Sequence, residues 1–123
     1  MGFFTRLHRL APTVAPEKAR FVLVVSNQSF REQRALITVA VDGRRLVAQD
    51  FDVEGQHNYV DFAFDLPPGR HVLTATGSFR TTHRESFELP RSGKRYGVLS
   101  YWNDGDRAPF FSWSFSAEPP GFA

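Results

Sequence analysis

The chain reads as an all-β protein, an antiparallel β-sandwich of about eight strands with a short N-terminal arm or helix. Three observations predict it. From Arg20 onward apolar and polar residues alternate over much of the sequence, the period of a half-buried strand. Turn signals recur at roughly ten-residue intervals, too close together for intervening helices. Two of those signals are specific. In Val41-Asp42-Gly43-Arg44 the Asp-Gly pair accepts the positive φ angles of a tight hairpin turn, and in Leu66-Pro67-Pro68-Gly69 the prolines end a strand before glycine lets the chain reverse.

The 123 residues fit one domain, long enough to bury a continuous core without staples. Thirteen phenylalanines, two tryptophans and three tyrosines supply that core. The absence of cysteine removes a disulfide framework, a thiolate zinc site and a cysteine nucleophile together.

Residues 1–19 form an arm distinct from the sandwich of residues 20–123. Phe3, Leu7 and Leu10 share a face at helical spacing, so a helix of about two turns is expected before Pro12 and Pro16 stop it. Phe21-Val22-Leu23-Val24-Val25 is apolar on both faces, which suits a strand covered on both sides, with the arm as the outer cover. Leu36 to Val41 alternates, and the Asp42-Gly43 turn returns the chain through Arg45 to Phe51. The next strand is expected from His57 to Leu66, with Val60, Phe62, Phe64 and Leu66 on one face. Arg70 to Thr76 follows the Pro-Pro-Gly turn, and Phe79 to Leu89 is expected as a more polar strand with Phe87 and Leu89 inside. Arg95 to Trp102 and Phe110 to Ser116 complete the set, joined by the loop Asn103-Asp104-Gly105-Asp106-Arg107-Ala108-Pro109.

The formal charge of +2 argues against nucleic acid as a partner, because arginines at turns are interleaved with Asp and Glu rather than gathered on one face. Residues 1–34 are the most basic part, with Arg6, Arg9, Lys18, Arg20, Arg31 and Arg34 against Glu17 and Glu32. No apolar run approaches the roughly 20 residues that span a bilayer. The first ten residues lack the pattern of a signal peptide, so a cytoplasmic location is expected.

Chemistry-bearing residues are few. His8 lies in the arm, His57 opens a strand and His83 is near Glu85, whereas His71 alternates with Leu73 and Ala75 and is expected as a buried, hydrogen-bonded imidazole. No histidine spacing suits a metal, no Gly-x-Ser-x-Gly elbow accompanies a histidine, and no glycine-rich loop cradles phosphate. The expectation is a protein that is not an enzyme, with no cofactor and no metal. Asn103-Asp104-Gly105-Asp106 lacks the further acidic positions of a calcium loop and reads as a solvated turn.

Aromatic residues are the better candidates. Trp113, between Phe111 and Phe115 on one strand face, is expected in the core. Tyr96, Tyr101 and Trp102 are the candidate binding residues, with Tyr96 and Trp102 sharing a strand face that Tyr101 does not.

The stretch from Ile37 to Thr76, through Val41-Asp42-Gly43 and Leu66-Pro67-Pro68-Gly69-Arg70-His71-Val72-Leu73-Thr74-Ala75, resembles the small immunoglobulin-like accessory domains of bacterial proteins, such as the fibronectin type III, CARDB and PEGA groups. It covers about a third of the chain. Leu46-Val47-Ala48-Gln49 stands where the PEGA group has Gly-x-Thr-Pro, so no functional residue transfers. The resemblance implies a noncatalytic spacer or binding module. The expected function is binding through a protein partner or self-association. The alternatives are a carbohydrate-binding module that uses exposed aromatics, and a membrane-peripheral protein that uses the arm.

Overall fold

The computed structural model describes residues 10–53 and 59–121. Eight strands run β1 Phe21–Asn27, β2 Arg34–Val41, β3 Arg44–Asp52, β4 Val60–Phe64, β5 Gly69–Thr76, β6 Thr82–Leu89, β7 Arg95–Trp102 and β8 Phe110–Ser116. They make two four-stranded sheets, ordered β4-β1-β7-β8 and β3-β2-β5-β6. The inner faces contribute Phe21, Leu23, Val25, Ile37, Val39, Leu73, Phe87, Leu99 and Phe111 to one core, the β-sandwich that the alternation predicts.

Among the described residues all pairings are antiparallel except one, since β1 and β7 run parallel from Phe21 opposite Arg95 to Asn27 opposite Tyr101. This leaves β1 central, with β4 on its other side, and explains why every β1 residue is buried. Its outward Val22 and Val24 pack with Ala19, Val14, Tyr59, Ala63, Tyr96 and Val98. Residues 10–19 supply part of that cover. The Ala11 amide donates to the Arg45 carbonyl on β3 and the Val14 amide to the Ala63 carbonyl on β4, so the arm binds an edge strand of each sheet. The helix expected over Phe3 to Leu10 lies outside the described residues apart from Leu10 itself.

Two boundaries differ from expectation. The strand expected as far as Leu66 ends at Phe64, and its opening residue His57 lies outside the described residues. The strand expected from Phe79 begins at Thr82, because Ser78–Arg80 form a 3-10 turn with Phe79 and Arg80 at φ values of 56° and 58°. Left-handed backbone in two consecutive bulky residues cannot join a ladder, and the Phe79 ring is left 74% exposed.

A register shift between Val39 and Ala40 sets two β3 residues against one step of β2. Leu46 and Val47 are consequently both buried although they are adjacent in sequence.

Candidate functional site

The three aromatic candidates occupy three different environments. Tyr96 and Trp102 lie on the outer face of β7, six residues apart, which places them about 20 Å from each other. Tyr96 packs beneath the arm and lines a cleft of about 490 Å³ with Val14, Asp61, Lys94 and Pro119. Trp102 stands at the far end, opposite Phe110 of β8, with their rings nearly parallel at 9° and the centroids 6.2 Å apart. Its Nε1–H donates to Ser112 Oγ at 2.9 Å, and the Arg107 guanidinium covers the Phe110 ring at 4.0 Å.

Tyr101 faces the other way and is not a surface residue. It is wholly buried, packed on Phe111 at 5.2 Å between centroids, and its hydroxyl donates to Glu32 Oε2 at 2.5 Å. Odd positions of β7 point between the sheets, so Leu99 and Tyr101 go inside together while Trp102 goes out.

Glu32 organises this end of the sandwich. Its Oε2 also accepts from Asn103 Nδ2 at 2.8 Å, and the Asn27 side chain donates to the Glu32 and Phe51 carbonyls. Burial pushes the Glu32 carboxyl up, but hydrogen bonds from Tyr101, Ser78 and Asn103 outweigh it and hold the group below its ordinary range. Burial and the neighbouring carboxylate together push the Tyr101 hydroxyl up to about 12. The result is a fixed polar brace under the loops, whose tips carry the exposed rings of Phe30 and Phe79. From the sequence Phe79 is expected to open a strand, and Phe30 precedes the strand that begins at Arg34. Nothing in their local spacing marks them as exposed.

The edges of the sheets are protected unequally. Strand β3 carries Arg44, Arg45, Asp50 and Asp52 and receives the Ala11 amide. Strand β4 carries Asp61 and receives the Val14 amide. Strand β6 carries His83, Arg84, Glu85 and Glu88. Strand β8, Phe-Phe-Ser-Trp-Ser-Phe-Ser, carries no charged side chain, no proline and no glycine. Among the described residues it is paired only with β7, in unbroken register from Phe110 to Ser116. Its other edge therefore offers a row of backbone donors and acceptors.

Side chains continue that opening. Phe111 is buried, whereas Trp113 and Phe115 are only partly covered where they meet Phe87 at the sandwich rim. The Trp113 indole reaches over Gly97 of β7, which has no side chain there: a Cβ at Gly97 would come within 2.4 Å of the ring. On the opposite face Ser112, Ser114 and Ser116 are exposed.

The histidines are held in structural contacts where they are described. His71 is buried with both ring nitrogens hydrogen-bonded, as its position between core residues predicts, and His83 Nε2 meets Glu85 Oε1 at 2.9 Å. His8 and His57 lie outside the described residues. Among the described residues no three His, Asp or Glu side chains are grouped as metal ligands, and no helix is long and apolar enough to cross a membrane. Comparisons with protein-family models, with curated proteins and with solved structures each find no match to this chain.

Proposed function

We propose that the chain is a noncatalytic interaction module that binds protein by strand addition along β8. The observation that carries this reading is the unprotected edge from Phe110 to Ser116, next to three edges that carry charges, an arm contact or both. An added strand satisfies the free backbone groups, and side chains on its inner face cover the open flanks of Trp113 and Phe115. Trp102 and Phe110 extend the surface at one end of the strand with a half-buried, stacked aromatic pair. The resemblance of the stretch from Ile37 to Thr76 to immunoglobulin-like accessory domains supports such a role.

Binding of a glycan on the same aromatics is the less supported reading. The guanidinium of Arg107 sits over Phe110 on a ring face that a sugar would stack on, and Tyr96 is too distant to extend a platform.

Capture from the source cell with the immobilised chain tests the proposal. Ser114→Lys with Ser116→Lys puts two charges on the edge from exposed positions and leaves the core untouched. Loss of the captured protein in that variant, with an unchanged melting temperature, is the expected result. Equal capture by both chains overturns the β8 reading.

A further inference from the structure

The sequence of β8 is a local palindrome. Phe111-Ser112-Trp113-Ser114-Phe115 reads the same in both directions, with Trp113 at its centre. Two antiparallel strands related by a two-fold axis present each other with reversed sequences. A palindrome on an open edge is therefore complementary to itself. We infer that the strand added to β8 is β8 of a second copy of this chain, paired antiparallel about Trp113; this rests on the reading of β8 as the binding edge.

The register follows from the symmetry. Trp113 meets Trp113 of the other copy, Ser112 meets Ser114, and Phe111 meets Phe115. Because side chains alternate across the sheet, every aromatic in the palindrome then meets an aromatic on the inner face and every serine meets a serine on the outer face. Shifting the pairing by one residue sets aromatic against serine throughout. Trp113 and Phe115, which the second copy would meet on this face, are only partly buried in the single chain.

Charge and closure agree with this occupant. No side chain of Phe110–Ser116 carries a charge, so no register of the self-pairing sets like charges from this strand against each other. The interface is isologous, and the joined sheet ends on β4 at both sides, an edge that carries Asp61 and the arm contact. The assembly stops at two copies instead of growing into a fibre.

The chain has no cysteine, so a register-specific cross-link is free of background. Ser112→Cys and Ser114→Cys chains, mixed and mildly oxidised, are expected to give a disulfide-linked heterodimer. Each variant alone gives several-fold less, since Cα atoms of directly opposed residues lie about 4.5–5.5 Å apart and diagonal ones exceed disulfide reach. Sedimentation of the unmodified chain is expected to approach twice 14.0 kDa with rising concentration. The Ser114→Lys chain, folded by its melting curve, stays at the single mass.

A single mass for the unmodified chain at every concentration overturns the second-copy inference, and a cross-link that favours Ser112→Cys with itself overturns the pairing about Trp113. The β8 reading is judged separately. A monomer whose cellular capture is still abolished by the lysine pair keeps the edge and loses the self-pairing. A monomer whose capture ignores the lysine pair loses both.

Discussion

Asp42 Oδ2 lies 2.6 Å from His71 Nδ1, and this contact ties together the two turns that punctuate the sequence. Asp42 and Gly43 form the hairpin turn between β2 and β3 with φ values of 52° and 81°. The other nitrogen of His71 donates to the Pro67 carbonyl at 2.7 Å, in the Pro-Pro-Gly turn before β5. Asp42 Oδ1 accepts the Val72 amide as well, at 2.9 Å. His71 thus sits between the two turns, with one ring nitrogen on each.

Asp42→Asn is expected to keep the turn, because asparagine tolerates left-handed φ, but to lose the charge-assisted bond. With the Asp42 side chain half exposed, the expected loss is about 1–2 kcal/mol at neutral pH, read by denaturant titration. Burial pushes the Asp42 carboxyl up, yet the His71 hydrogen bond, the Val72 amide and the attraction of the imidazole together hold it below its ordinary range. A lowered carboxyl pKa contributes stability above the unfolded value, and that stability drains away as pH falls through the folded one. The gap between the two proteins should therefore narrow below about pH 4. A gap that stays constant down to pH 2 contradicts the assignment.

Tyr101→Phe removes the hydroxyl from the Glu32 brace and leaves the carboxylate with Asn103 and Ser78. The expected cost is about 1–3 kcal/mol. A raised tyrosine pKa stabilises the fold below the unfolded value near 10, and that contribution is lost as pH climbs toward about 12. Alkaline absorbance titration of the folded protein should show a late phenolate step, which the variant lacks. The same step at pH 10 in both proteins refutes the buried hydrogen bond.

Arg80→Gly tests the left-handed pair at the loop tip. Arg80 has φ of 58° and the preceding Phe79 has 56°. Glycine relieves about 1 kcal/mol at such a position, so the melting temperature should rise. A fall instead means that the arginine side chain holds the loop by a contact worth more than the strain.

The number of strands and their approximate positions along the chain were largely legible in local pattern. Alternation locates β2, β5, β7 and β8, the unbroken run Phe21–Val25 announces a strand covered twice, and the two turn motifs fall where the chain reverses. The surface was not legible in the same way. Tyr101 alternates with core residue Leu99 and follows it inside, but its bond partner Glu32 is 69 positions away, and no local rule joins them. The uncharged stretch of β8 could be read directly, yet β1 is equally uncharged. Only the strand order, which leaves β8 at an edge and β1 in the middle, gives that neutrality a meaning.

Residue-resolved amide exchange along β8 tests the central claim most directly. In an antiparallel edge strand alternate amides bond to the neighbour and the others face out. At high concentration every amide from Phe111 to Phe115 is predicted to be protected, with the outward set becoming fast on dilution or in the Ser114→Lys chain. Fast exchange of that outward set at every concentration, with the cellular partner both absent and present, would contradict strand addition at β8.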